Sequence, residues 1–295
     1  MYPKTKEITY LYDDVEPSLD DDILYHFTTA DSFFKILESM SLKSSDFSRL
    51  NDLNEGNLRN GNMPNACLDI SVGKALCEKG ILLCFTENFE QEEHNSKMIC
   101  TGINHPRMWA QYADNNNGVC IALKKEQFLE DNKNLLKDKF YKLENVDYHL
   151  VLSLKFDNCC MGADDFIEKN WRELLYLKQD DWKQEKEVRF FALNLESKFL
   201  SIENSVAFIC LSYGFLHNEE NMRKLISYMI TPTSISYKKL VPRSFAECVV
   251  DGLGYHPEDC ASIILGRLLS YLQKYSAYTK WLHDEFNYSV PLKYL

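Results

Sequence analysis

Trp182-Lys183-Gln184-Glu185-Lys186-Glu187-Val188-Arg189-Phe190-Phe191 is the stretch whose reading decides the fold. Its second half alternates, so Glu187 and Arg189 fall on one face of a strand and Val188 and Phe190 on the other. A carboxylate and a guanidinium then point the same way at the strand's start. If the strand reaches back far enough, Glu185 shares that face, and the like charges of this E-x-E pair raise each other's pKa unless Lys183 or Arg189 intervenes. Such a pair can bind a sugar hydroxyl with one carboxylate and steer a nucleophile with the other. An exposed edge strand carrying a Glu/Lys/Arg ladder accounts for the same residues, so the rest of the chain must decide.

Immediately upstream, Phe166, Ile167, Trp171, Leu174 and Leu175 line one side of a helix expected from Asp164 to about Lys178. Before it come a charged helix from Lys124 to about Asp138 and strand-like residues from Phe140 to Phe156. Val119-Cys120-Ile121-Ala122-Leu123 reads as a buried strand after the Asn115-Asn116-Asn117-Gly118 turn. In the helix opened by Pro106, Trp109 and Tyr112 share a face; they suit the core, or a stacking platform for a flat ring. Glu90 to Ile103 reads as an irregular surface loop; its His94 and Cys100, with His105, match no usual zinc spacing, and no metal is expected. Asn65 to Lys79 reads as a helix capped by Gly80, before the buried strand Ile81-Leu82-Leu83-Cys84-Phe85.

Nearer the N-terminus, an acidic leader over residues 1–22 precedes the strand-like run Ile23-Leu24-Tyr25-His26-Phe27-Thr28-Thr29 and a helix striped with Phe33, Phe34, Ile36, Leu37 and Met40. That junction sets His26 beside a helix N-terminus. Asn51, Asp52 and Glu55 sit in a loop whose Asn, Asp and Gly suit turns. Downstream, strands are expected near Val206 to Cys210, at Val249-Val250 and at Ile263 to Gly266, with a terminal helix from Arg267 to Phe286. Strands in ones and twos between helices, with no linker or repeat, indicate one α+β domain over residues 23–295 around a mixed or antiparallel sheet.

The chain has 295 residues, 45% of them apolar, enough for a sizeable core. Its net charge of −11 argues against a surface broadly adapted to nucleic-acid phosphate or anionic membrane. Ten cysteines without a C-x-x-C pair read as thiols in a reducing cytosol, and the N-terminus has no signal-peptide character. The expectation is a soluble, cytoplasmic protein with no membrane partner.

Tyr25-His26-Phe27-Thr28, Asn51-Asp52 with Glu55, Met108-Trp109-Ala110-Gln111-Tyr112 with Gly118-Val119, Glu185-Lys186-Glu187-Val188-Arg189 and Ile263 to Gly266 occur in that order. Together they resemble a prokaryotic family of unknown function, which in turn is similar to the ADP-ribosyltransferase fold, in the branch of DNA-modifying toxins. That resemblance implies a split β-sandwich with flanking helices and NAD, as substrate, in its cleft. It implies that Glu187 is the catalytic carboxylate, that Glu185 positions the acceptor, and that His26 and Thr28 hold NAD. Tyr112 or Trp109 would stack on the nicotinamide, Arg189 would orient Glu187 or grip a phosphate, and Asn51, Asp52 and Glu55 would position substrate. Breaking the ribose–nicotinamide bond builds positive charge, which a carboxylate on the ribose 2′-hydroxyl stabilises. The implied activity is ADP-ribosylation of a nucleic acid or protein, in a toxin or phage-defence effector with an antitoxin or regulatory partner. An NAD glycohydrolase on the same scaffold and a non-catalytic nucleotide- or protein-binding module are the alternatives.

Overall fold

A computed structural model of the chain describes residues 22–45, 47, 66–93, 96–100, 102–149, 161–229 and 240–242. Its centre is a seven-stranded sheet. In spatial order the strands are β13 (Leu240–Pro242), β12 (Val206–Leu211), β6 (Val119–Lys124), β1 (Ile23–Thr28), β3 (Gly80–Thr86), β10 (Glu187–Leu193) and β7 (Tyr141–Asn145). Among the described strands of this sheet, β12 and β13 run parallel and the other neighbours pair antiparallel. Two-stranded ladders join β2 (Ser41–Lys43) to β11 (Phe199–Ser201), β4 (Phe89–Glu93) to β5 (Ser96–Cys100), and β8 (Asp147–His149) to β9 (Leu177–Gln179).

Apolar residues on both faces of the central strands explain the layering. Val188, Phe190 and Ala192 of β10, with Leu83 and Phe85 of β3 and Ile121 of β6, form the first face. It is covered by Phe33, Phe34 and Ile36 of α1 (Ala30–Ser39), Phe128 of α4 (Lys125–Asp131), Phe215 of α8 (Tyr213–His217) and Met222 of α9 (Glu219–Met229). The second face carries two apolar clusters. In one, Tyr25 and Phe27 pack with Met108 and Trp109 of α3 (Pro106–Gln111). In the other, Leu82 and Phe191 pack under Leu76 of α2 (Ala66–Lys79), Phe166 of α6 (Ala163–Lys169) and Leu174 of α7 (Trp171–Leu175).

The α+β class and the antiparallel character of the sheet agree with expectation; among the described residues the central layer is one continuous seven-stranded sheet. Its weakest seam lies between β1 and β3, which meet at the single bridge Tyr25↔Thr86. Across that seam the His26 ring meets the Cys84 carbonyl, 3.2 Å from Nδ1. Several local expectations also change. Glu90 to Ile103 includes most of the β4–β5 hairpin rather than an irregular loop, because backbone pairing holds a polar sequence that apolar periodicity does not signal. The expected helix from Asp164 to Lys178 breaks at Asn170 and ends at Leu175, leaving Lys178 in β9. The charged helix breaks at Asn132, whose side chain is drawn to the Phe128 and Ser201 carbonyls, and α5 (Lys133–Leu136) follows. Gly80 does not end α2 as a free cap; it opens β3 directly and is pressed against Phe47 and the Leu76 carbonyl. The readings of residues 1–21, Asn51, Asp52, Glu55, His94, Val249-Val250 and everything from Ile263 onward lie outside the described residues.

The Asn-Gly turn before β6 forms as its residues demand, with positive φ of 48°, 50° and 65° at Asp114, Asn115 and Asn116. It closes on Gly118, where a Cβ would lie 2.2 Å from the Thr28 carbonyl oxygen and 2.9 Å from Ala113 Cα. Gly118→Ala should therefore lower stability by ~1–3 kcal/mol, the usual cost of overpacking. The reading is a lower urea midpoint with an unchanged slope; an unchanged midpoint would show that the β1–α1 junction yields without cost.

Candidate functional site

Strand register places the site. Tyr25, Thr86 and Glu187 lie directly across from one another on β1, β3 and β10, so all three share the second face. Glu187 and Arg189, two residues apart, occupy that face where its two apolar clusters meet. Just before β10 the chain makes a 3₁₀ run, Asp180–Glu185, and Lys186 turns it into the strand with φ of 48°. The strand does not reach back to Glu185, which ends the 3₁₀ run instead. Glu185 still reaches the same spot, because the Thr86 hydroxyl lies 2.9 Å from its carbonyl oxygen and 3.1 Å from that of Lys186.

Four charged residues meet there almost out of water, with 3% of Lys178, 2% of Glu185, 4% of Glu187 and 2% of Arg189 exposed. The Lys178 ammonium lies between the carboxylates, 2.7 Å from Glu185 Oε2 and 3.0 Å from Glu187 Oε2. Arg189 grips Glu187 with two donors, Nε to Oε1 at 2.6 Å and Nη2 to Oε2 at 3.1 Å, and donates from Nη1 to the Leu175 carbonyl at 2.5 Å. The cluster is formally neutral, which makes its burial tolerable. The Tyr112 hydroxyl donates to Glu185 Oε1 at 2.7 Å, and the Tyr148 hydroxyl accepts the Glu187 backbone N–H at 2.9 Å. Trp182 stands between two cations, with Lys178 Nζ 4.8 Å and Arg107 Cζ 5.3 Å from its ring centre. Arg107 also ties α3 to the 3₁₀ run by donating to the Asp181 carbonyl at 3.2 Å.

The electrostatics follow from this geometry. Burial alone would raise the Glu187 carboxyl, but the Arg189 and Lys178 charges and the hydrogen bonds from Arg189 and Cys84 outweigh it, lowering the pKa from 4.5 to about 2. Burial, reinforced by the Glu187 charge, pushes the Tyr148 phenol up and keeps it neutral. Chemically, the arrangement offers an anionic carboxylate held rigid by Arg189, and a second one that accepts from Tyr112 on one oxygen and from Lys178 on the other.

The sequence-based residues divide. Glu185, Glu187, Arg189 and Tyr112 come together, with Arg189 committed to Glu187. Trp109 is fully buried, its Nε1–H donating to the Ile103 carbonyl at 2.7 Å and Phe27 packed edge-on at 5.1 Å, so it is a core residue rather than a stacking platform. His26 and Thr28 are one and three residues out of phase with Tyr25 and therefore fall on the first face, where His26 packs against Phe85. Burial holds the His26 imidazole below its usual pKa. Sequence reasoning missed Lys178, Tyr148, Arg107 and the partnership of Trp182; no local pattern marks a lysine that will be buried. Among the described residues, no group of three or more His, Cys, Asp or Glu is placed to hold a metal ion, and no helix is long and apolar enough to cross a membrane.

Residues 108–190 match a family described as "Protein of unknown function (DUF2971)". The matched region contains M-W-x-x-Y, Gly118-Val119 and E-K-E-x-R, and also Tyr148, Lys178 and Trp182. No curated protein and no solved structure matches the chain.

Lys178→Met should leave the two carboxylates facing each other without their shared cation and cost ~3–5 kcal/mol, the usual cost of breaking a buried pair. Chemical denaturation of the two proteins at pH 7 checks this; a loss below about 1 kcal/mol would mean water reaches the cluster. The pH dependence has a defined sign. The folded-state pKa of Glu187 lies below its unfolded value of 4.5, so its contribution is fully present above that value. It is lost as pH falls from 4.5 toward about 2, and Glu187→Gln should flatten the stability profile in that window.

Proposed function

We propose that the chain transfers ADP-ribose from NAD to a macromolecular acceptor, with Glu187 as the carboxylate facing the reacting ribose and Glu185 positioning the acceptor. One observation carries the reading: M-W-x-x-Y, E-K-E and Lys178, separate in sequence, close on the same pair of carboxylates through contacts of 2.7 to 3.0 Å. NAD supplies the activated bond between ribose and nicotinamide. The residues here suit its reacting end, because an anionic Glu187 favours positive charge developing at the ribose. Arg189 and Lys178 keep that carboxylate ionised and prevent it from rotating. Tyr112 orients Glu185 by donating to one oxygen and leaves the other to Lys178. His26 and Thr28, on the opposite face of the sheet, have no part in this arrangement.

A second reading has its own support. Arg189 and Lys178 donate to the oxygens of a Glu187 that is 4% exposed, which is also what a purely structural ion cluster in a binding module requires. Incubation with NAD labelled in its ADP-ribose part, beside separate pools of DNA, RNA and cell protein, distinguishes the readings. Label should enter one pool, and Glu187→Gln should lower the rate by ~100-fold or more. Nicotinamide release without a labelled macromolecule would indicate a hydrolase. Absence of both would leave the structural reading.

A further inference from the structure

Arg107 is half-buried on α3, and its guanidinium is held in place from several sides. Nε donates to Gln111 Oε1 at 3.1 Å, Nη1 donates to the Asp181 carbonyl at 3.2 Å, and the Trp182 ring centre lies 5.3 Å from Cζ. Those bonds use two of the five N–H donors of a guanidinium, and neither acceptor is charged. Asp181 offers its backbone carbonyl, not its carboxylate. Arg172 and Arg189, by contrast, each meet a carboxylate, at 2.9 and 2.6 Å. Among the described residues Arg107 has no such partner, in a chain of 44 acidic and 33 basic residues. The buried cluster beside Trp182 cannot serve it, because Lys178 and Arg189 already balance Glu185 and Glu187.

We propose that Arg107 binds the phosphate groups of a small nucleotide at the rim of the carboxylate cluster. The terminal edge of a guanidinium, Nη1 and Nη2, matches two oxygens of a phosphate. Gln111 and the Asp181 carbonyl fix that edge beforehand, which spares part of the ordering cost of binding. Trp182 is half-buried beside it and 4.8 Å from Lys178 Nζ, so a phosphate on Arg107 lies next to the cluster and the base has an indole within reach. A net charge of −11 repels a long nucleic acid, whereas a small ligand needs only one local cation. The site stands apart from the transfer reading, since a nucleotide-binding module needs the same contact. Lys186 supplies the comparison. It also makes no ion pair among the described residues, but its Nζ lies 5.7 Å from the Phe89 ring centre, and that ring packs 5.5 Å from His105. Along the 3₁₀ run, Lys186 stands about 10 Å beyond the Asp181 carbonyl that anchors Arg107, at roughly 2 Å per residue.

Calorimetric titration of the intact chain with ADP-ribose, inorganic pyrophosphate and adenosine tests the site. ADP-ribose and pyrophosphate should bind, and adenosine should bind ~10-fold or more weakly than ADP-ribose, the scale of charge-assisted hydrogen bonds. Arg107→Gln should erase that difference and abolish pyrophosphate binding. Lys186→Gln removes an equal charge about 10 Å away and should change pyrophosphate affinity no more than about twofold, as a screened long-range interaction would. Gln111→Glu keeps the Nε contact but gives the guanidinium a carboxylate of its own. It should weaken pyrophosphate binding by ~10-fold, and it tests the site even if Arg107→Gln does not fold. A purely structural Arg107 would weaken adenosine and ADP-ribose alike. That outcome, equal losses in Arg107→Gln and Lys186→Gln, unchanged affinity in Gln111→Glu, or no binding of pyrophosphate to the wild-type protein would overturn the proposal. Pyrophosphate binding lost in Arg107→Gln, in a protein that transfers no label from NAD, would uphold this site while the transfer reading fails.

Discussion

The Lys178 ammonium sits between the Glu185 and Glu187 carboxylates at 2.7 and 3.0 Å, and much of the second sheet face is arranged around that contact. Moving a single ion into a low-dielectric interior costs several kcal/mol even after relaxation. Two carboxylates brought together without a cation would cost more, since each opposes the ionisation of the other. Lys178 and Arg189 together balance them. Because each cation must stay where it is, β9, the 3₁₀ run and the start of β10 are fixed relative to one another. Tyr112 and the Arg107–Trp182 contact extend the constraint to α3, so four elements depend on one buried charge balance.

The sheet is also a partition. Its register sends Tyr25, Thr86 and Glu187 to one side and His26, Phe85 and Val188 to the other. A strand offers its side chains only two directions, so a change of one residue in phase moves a group across a packed layer. His26 stands two strands from Glu187 and faces away from it. Any chemistry at Glu187 therefore draws on residues from α3, the 3₁₀ run and β9, and not on the His26 side of the sheet.

The polar atoms near that chemistry divide into two kinds. Those of Lys178, Glu187 and Arg189 are matched by one another, which suits a rigid support. His105 Nδ1 and Asn104 Oδ1 are buried and unmatched.

Much of the fold was legible from local pattern. The apolar runs at Ile23, Ile81, Val119, Val188 and Val206 announce strands β1, β3, β6, β10 and β12, because burial of both faces demands continuous hydrophobicity. The phase of Glu187 and Arg189 within β10 follows from alternation alone, and the stripe Phe33-Phe34-Ile36 from the helical period. The hairpin between Phe89 and Cys100 was not legible, since its strands are polar and held by backbone pairing. Nor was the separation of His26 from Glu187, because it depends on which residue of β1 meets Thr86, a register set between strands distant in sequence. Lys178 and His105 mark the same limit. Nothing in their local sequences distinguishes a buried group from a solvated one; the difference lies in which charges and carbonyls the packed chain brings beside them, and only the tertiary structure decides that.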